Sequence, residues 1–196
     1  SVFPVALLEA ADAMTMIREH AAEWHVDPDA IAVIGFSAGG HLAANLATST
    51  SDDVLVAHGY DPDAVRPNGL MLAYPVITSG PLAHRGSFDS LLGERRNDSQ
   101  ALESVSIERH IDAKTPPVFV WHTVPDETVP YENTLMLIDA CKKAGVSIEA
   151  HLFPQGGHGL SLGTAETAWQ GVNGIEPSIQ IWPQLAVSWM RRTFAR

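Results

Sequence analysis

The sequence is poor in cysteine, in basic residues and in long apolar runs. Its 196 residues include one cysteine, Cys141, which excludes an internal disulfide. Twelve Lys and Arg stand against 23 Asp and Glu, and the formal net charge of −11 disfavours binding to nucleic acid or to an anionic membrane surface. No run approaches the ~20 apolar residues that a membrane-spanning helix needs. These absences favour a small neutral molecule as the binding partner.

The remaining composition is that of a globular protein, with 45% hydrophobic and 18% charged residues. The length suits one domain over residues 1–196, and self-association into a homo-oligomer is compatible with it. A cytoplasmic location is expected, since one cysteine fits a reducing compartment and no signal-peptide pattern precedes the first helix. Cys141 lies in an apolar helical run and is expected to be packed in the core.

Strand-like and helix-like segments alternate along the chain. Short apolar runs rich in branched residues predict strands at 31–36, 69–74, 118–122 and 147–153. Apolar residues at helical spacing predict helices at 5–24, 38–48, 131–144 and 181–194. Residues 79–111 read as loops and short helices, and 160–177 as a Gly-rich loop. The alternation predicts an α/β fold with a mostly parallel sheet and helices on both faces.

A G-x-S-x-G motif stands at the junction of a predicted strand and a predicted helix. It runs from Gly35 to Gly39 with Ser37 at its centre. A sharp strand-to-helix turn needs small neighbours and lifts the serine hydroxyl above the sheet, as the motif of a nucleophilic serine requires. The alternative is a Gly-rich helix start in which Ser37 is only a cap.

A serine nucleophile needs a base and an acid. Where the serine lies at such a turn from a strand to a helix, the order along the chain is Ser, acid, His. Asp126 lies in a tight loop after the strand at 118–122, and His158 lies between glycines after the strand at 147–153. All three residues therefore fall past the carboxyl ends of predicted strands, where open α/β sheets place their sites. Glu127 or Asp139 remain alternatives for the acid, and His84 is a candidate for the border of the site. The spacing of the other histidines shows no metal-binding motif.

In combination, the motifs resemble the bacterial acetyl-esterase and acetylxylan-esterase-like branch of the α/β-hydrolases. The segments that carry the resemblance are Gly35-Phe36-Ser37-Ala38-Gly39-Gly40-His41-Leu42-Ala43, Tyr74-Pro75-Val76-Ile77, Leu91-Leu92-Gly93, Trp121-His122-Thr123 with Asp126 and Val129-Pro130, and Phe153-Pro154-Gln155-Gly156-Gly157-His158-Gly159-Leu160. The resemblance implies an α/β-hydrolase fold and hydrolysis of short acyl esters, including acetyl groups on sugars, with neither a cofactor nor a metal. It makes Ser37 the nucleophile, His158 the base and Asp126 the acid, with the Ala38 N–H as one oxyanion donor.

Members of that branch begin with several further strands and a His-Gly-Gly-Gly type loop that supplies part of the oxyanion hole. The only Gly-Gly pairs here, Gly39-Gly40 and Gly156-Gly157, do not follow an early strand. The chain is therefore expected to correspond to the C-terminal two-thirds of a longer protein. Two other functions remain open: a serine peptidase of the prolyl-oligopeptidase type, which shares the order of the triad, and a non-catalytic binding module.

Overall fold

Four parallel strands form one sheet in the computed structural model, which describes residues 2–169 and 174–195. The strands are β1 (Ala32–Phe36), β2 (Gly69–Ala73), β3 (Val118–Thr123) and β4 (Ile148–Phe153). They lie side by side in chain order, with Ile34 opposite Met71 and Met71 opposite Phe119. All four carboxyl ends therefore lie at one edge of the sheet.

Eight α-helices and several short 3₁₀ turns are described between and around these strands. The helices are α1 (Val5–Glu19), α2 (Ala38–Ala47), α3 (Asp52–Ala57), α4 (Pro62–Val65), α5 (Arg85–Leu92), α6 (Ser99–Ser104), α7 (Glu132–Ala144) and α8 (Trp182–Thr193). Helix α2 begins two residues after the end of β1, and α7 follows β3 after a loop, so that each helix lies in a connection between parallel strands.

The sheet is covered by helices on both faces because its strands are apolar on both sides. Alternate residues such as Leu72 and Val120 pack against α2 and α7. The residues between them, such as Phe119 and Trp121, pack against α8. A strand buried on both faces reads as a continuous apolar run, which is the pattern of β2 and β3. The structure thus confirms the parallel α/β sheet with helices on both faces.

Most predicted elements end within a residue or two of their observed bounds, with one larger difference. The helix predicted over 5–24 stops at Glu19, and turns follow it. Ala21 is buried although it lies beyond the helix, because a backbone hydrogen bond from the Val26 N–H to the Ala21 carbonyl folds the chain back. The helical spacing of buried apolar residues therefore continues past the last residue of the helix.

The segment over 79–111 consists of short helices and loops, as predicted, and has its own small core. Phe88 of α5 packs there with Val76, which follows β2, and with Val129, which follows β3. This core holds α5 close to the edge of the sheet at which the strands end. The predicted loop at 160–177 lies partly outside the described residues; the described part contains turns and a 3₁₀ turn that begins at Pro177. None of the helices described is both long and apolar enough to span a membrane.

Candidate active site

Ser37 occupies a strained turn between β1 and α2. Its backbone has a φ of 54°, in the left-handed region that a residue with a side chain rarely adopts. The turn is held by three backbone hydrogen bonds: the Ser37 N–H donates to Ala73, and the Ser37 carbonyl accepts from His41 and Val76. Strain that is held in place by its surroundings is typical of functional positions.

Neighbouring atoms pass close to the turn at two glycines, Gly35 at the start of the motif and Gly40 directly after it. A Cβ on Gly35 would lie 2.3 Å from the Gly39 carbonyl oxygen, and one on Gly40 would lie 2.9 Å from the Pro75 side chain. No side chain fits at such distances, and therefore the geometry of the turn depends on both glycines.

Three side chains form a continuous row of hydrogen bonds at the carboxyl ends of the strands. Ser37 Oγ lies 2.7 Å from His158 Nε2, and His158 Nδ1 lies 2.7 Å from Asp126 Oδ2. His158 reaches Ser37 from the loop after β4, while Asp126 lies in the turn after β3. The Asp126 side chain is fully buried and that of His158 is 18% exposed, so that solvent reaches the row at His158 and the partly exposed Ser37 but not at Asp126.

Hydrogen bonds keep the Asp126 carboxylate ionised despite its burial. Burial acts to raise the pKa of Asp126, but hydrogen bonds from His122 and His158 and from the Val129 N–H outweigh it and hold that pKa well below its usual range. The carboxylate is thus anionic at neutral pH. An anion at this place fixes the proton of neutral His158 on Nδ1 and leaves Nε2 free to accept the Ser37 proton.

Two neighbours of the row were not among the site residues predicted from the sequence. His122, named above only as part of a segment that carries the resemblance, is fully buried with Nε2 3.2 Å from Asp126 Oδ2. Tyr74, predicted as the end of a strand, instead has a φ of 39°, and its ring packs edge-on against His158 at 4.9 Å. Its hydroxyl accepts a hydrogen bond from the Ser161 N–H, which ties the loop after His158 to the sheet.

Ala38 is the first residue of α2, and therefore its N–H has no acceptor within that helix. Two cavities lie beside it. One, of about 280 Å³, lies between α1 and α2 and has an almost wholly apolar wall. The other, of about 50 Å³, is lined by Ala38, His41, Val76, Ser87, Phe88 and Leu91. An unpaired N–H at a helix start beside a cavity suits a developing negative charge.

The alternative acid residues lie elsewhere. Glu127 is exposed on the turn, and Asp139 pairs with Lys143 on the surface of α7 at 2.5 Å. His84 does not line the small cavity itself; its Nδ1 lies 2.8 Å from Ser87 Oγ, and Ser87 does line it. Among the residues described, no group of three or more His, Cys, Asp or Glu side chains is arranged to hold a metal ion.

Cys141 is fully buried in α7, as predicted, between the helix and the sheet. Burial raises the pKa of its thiol to about 12. A thiol that stays protonated is a poor nucleophile, and therefore Cys141 takes no part in the site.

A strained serine after a parallel strand, with an acid and a histidine after the later strands, defines the α/β-hydrolase fold. The comparisons with known proteins agree. The sequence matches the BD-FAE family over residues 1–140. It is 34% identical over 167 residues to endo-1,4-beta-xylanase B of Butyrivibrio fibrisolvens, covering 84% of this chain and 26% of that protein. It is 30% identical over 153 residues to the acetylxylan esterase of Xylanibacter ruminicola, covering 76% of this chain and 30% of that protein.

Among solved structures, the acetyl ester-xyloside bifunctional hydrolase of Caldicellulosiruptor lactoaceticus superposes with a TM-score of 0.81 at 36% identity. The match covers 98% of this chain and 67% of that one. The chain belongs to the BD-FAE family. It spans about two thirds of this structural neighbour and less than a third of the two curated relatives.

Proposed function

We propose that this chain carries the catalytic residues of a serine esterase that hydrolyses short acyl esters, with acetyl groups on carbohydrate as its substrate class. The observation that carries the proposal is the unbroken row from Ser37 through His158 to Asp126, with 2.7 Å at each step. A hydroxyl bonded to a neutral imidazole that is itself oriented by a buried carboxylate is an activated nucleophile.

The reaction proceeds in two acyl transfers. Ser37 Oγ attacks the ester carbonyl while His158 Nε2 takes the serine proton, and a tetrahedral oxyanion forms. Collapse of that intermediate breaks the bond to the alcohol, which leaves with the proton from His158, and the acyl group stays on Ser37. Water then attacks the acyl-enzyme, gives a proton to His158, and the carboxylic acid leaves as the proton returns to Ser37. Asp126 remains anionic throughout and stabilises the imidazolium.

The oxyanion is stabilised by the Ala38 N–H at the positive end of α2. Esterases with this nucleophile turn use a second N–H from a loop that follows an early strand. Removing one of two donors typically lowers kcat by about 10²–10³.

The choice of a short acyl group is supported by the dimensions of the site. Of the two cavities beside Ala38, the one of about 50 Å³ has room for an acetyl group, and we take it as the acyl site, whereas the one of about 280 Å³ has room for a longer chain. The wall of the smaller cavity is mainly apolar, with Val76 and Phe88, which suits a methyl group. The relatives named acetylxylan esterase and acetyl ester-xyloside hydrolase point to an acetylated sugar as the alcohol part.

The test is hydrolysis of p-nitrophenyl acetate by this chain and by Ser37→Ala, with the octanoate ester and acetylated xylo-oligosaccharides as further substrates. We expect turnover of the acetyl esters that Ser37→Ala abolishes, and little turnover of the octanoate. Turnover of the same rate in Ser37→Ala would refute the nucleophile. A Pro-containing peptide amide cleaved faster than the acetate would favour the peptidase.

If the chain folds but does not hydrolyse the esters, a fluorophosphonate probe tests whether Ser37 is activated. Labelling of Ser37 would show an activated serine in an incomplete oxyanion hole. No labelling, with the fold intact by circular dichroism, would favour a non-catalytic module and overturn the proposal.

A further inference from the structure

A second histidine, His122, lies behind the acid of the triad and is fully buried. It stands near the end of β3, and its ring has three hydrogen-bonding neighbours. His122 Nε2 lies 3.2 Å from Asp126 Oδ2 and 2.9 Å from the Val129 carbonyl oxygen, and Nδ1 lies 2.8 Å from Thr134 Oγ1. No solvent reaches this ring, and therefore its proton must be placed by these neighbours.

The neighbours determine which tautomer the ring adopts. A carboxylate and a carbonyl can only accept, and both face Nε2, so Nε2 must carry a proton and share it between them. In the neutral ring Nδ1 then holds a lone pair, which accepts a hydrogen bond from the Thr134 hydroxyl. Thr134 lies in the first turn of α7, so the helix that follows the acid loop supplies the partner of Nδ1, while the carboxylate and the carbonyl at Nε2 set the tautomer.

The Nε2–H donor completes the set of bonds around the Asp126 carboxylate. Oδ1 accepts from the backbone N–H groups of Thr128 and Val129, each at 2.9 Å. Oδ2 accepts from His158 at 2.7 Å and from His122 at 3.2 Å. With two donors on each oxygen the carboxylate cannot rotate, and the remaining lone pair of Oδ2 is aimed at His158. Such outer hydrogen bonds orient a catalytic group through its partner rather than by touching the substrate.

We propose that His122, held as the Nε2–H tautomer by the two acceptors at Nε2 and kept in orientation by Thr134 at Nδ1, is a positioning residue of the triad that fixes Asp126 for its contact with His158. The tautomer assignment stands on the structure alone. The kinetic consequence rests on the proposed esterase function, and the experiments below keep the two apart.

The tautomer is measured directly on the full chain labelled with ¹⁵N, by long-range ¹H–¹⁵N correlation of the imidazole rings at pH 7.5. We expect His122 to show a protonated Nε2 and an unprotonated Nδ1. Thr134→Val removes the hydroxyl while keeping the side-chain volume, and it should shift the Nδ1 resonance of His122. A ring protonated on Nδ1 alone, or on both nitrogens, would overturn the assignment whether or not the chain turns over an ester.

The positioning role is measured with two substitutions at His122. His122→Leu removes the donor, and we expect kcat for p-nitrophenyl acetate to fall about tenfold to a hundredfold, with KM changed less than twofold. His122→Gln places an N–H near the position of Nε2 and should recover most of the loss, which a merely structural residue would not require. His151→Leu is the control, since His151 of β4 bonds to Glu149 and does not touch the triad.

Thr134→Val covers the case in which His122→Leu does not fold. Wild-type kcat in folded His122→Leu, or in Thr134→Val if the leucine variant is unfolded, would refute the role. If wild-type turnover is too slow to follow, the rate of fluorophosphonate labelling at Ser37 replaces kcat, with the same expected ratios. Absence of labelling in the wild type would refute the esterase proposal and with it the kinetic role, and it would leave the tautomer to be decided by the spectra.

Discussion

His41 gives the protein a pH-dependent stability that can be worked out from the structure. Its ring is 4% exposed and packs edge-on against Phe88 at 5.3 Å. Nδ1 lies 3.2 Å from the Val76 carbonyl oxygen and donates to it, while Nε2 is a buried acceptor without a partner among the residues described. Burial lowers the pKa of His41 from 6.5 to about 4, against the opposing effect of the Val76 hydrogen bond.

The sign and size of the effect follow from proton binding in the two states. The unfolded chain takes up a proton at this ring near pH 6.5, whereas the folded protein resists it down to about pH 4. Between those values the unfolded state binds more protons, so the free energy of unfolding falls as the pH falls. At pH 5 the loss relative to pH 7.5 is about 2 kcal/mol from this one residue, since each pH unit in that window contributes about 1.4 kcal/mol.

The assay is urea unfolding of the wild type and of His41→Leu at pH 7.5 and pH 5.0. Other groups titrate over the same range. The quantity compared between the two proteins is therefore the change in the free energy of unfolding from pH 7.5 to pH 5.0. We expect this change in the free energy of unfolding to be smaller by about 2 kcal/mol in His41→Leu, whatever the stability of that variant at pH 7.5. His58→Leu removes an exposed histidine and is the control. If the free energy of unfolding changes equally between pH 7.5 and pH 5.0 in the wild type and in His41→Leu, the buried ring is not held neutral.

Three further predictions concern the site and its frame. Asp126→Asn should fold but lower kcat by about 10³–10⁴, because an amide in place of the carboxylate favours the wrong tautomer of His158, and p-nitrophenyl acetate kinetics measure it. Gly35→Ala should lower the free energy of unfolding by about 3 kcal/mol or more, because its Cβ would lie 2.3 Å from the Gly39 carbonyl oxygen; urea titration checks this, and a change below 1 kcal/mol would contradict it. The Cys141 thiol, fully buried with its pKa raised to about 12, should not react with a thiol reagent at pH 8 until urea unfolds the chain, and labelling of the native protein at the rate of a free thiol would contradict that.

The catalytic candidates could be predicted because each is marked by its neighbours in the chain. Ser37 stands in a G-x-S-x-G string between a strand and a helix, and His158 stands among glycines after a later strand. The structure places both at the same edge of the sheet as Asp126. The two other acids that the sequence left open lie on the surface, a distinction that depends on burial and not on residue type.

The contacts of His122 could not be predicted, because nothing in the strand pattern distinguishes it from a core residue. Its function comes from facing both the acid turn and the start of α7, two segments that the strand alone does not bring together. The left-handed backbone at Tyr74 could not be predicted either, because the apolar strand pattern continues through that residue. The helix predicted over 5–24 ends at Glu19, and the residues after it form turns in which the Val26 N–H donates to the Ala21 carbonyl, a backbone contact that the apolar spacing does not reveal.

The sequence by itself determined the order of strands and helices, the parallel sheet and the position of Ser37 at the turn between a strand and a helix. These depend on the periodicity of apolar residues and on small residues at a turn, which act over a few positions of the chain. Only the tertiary structure decided which carboxylate meets His158, which tautomer that histidine takes, and which second histidine stands behind the acid. Those depend on distances between segments far apart in the chain, because a hydrogen bond needs two atoms within about 3 Å and the sequence fixes only which atoms are available.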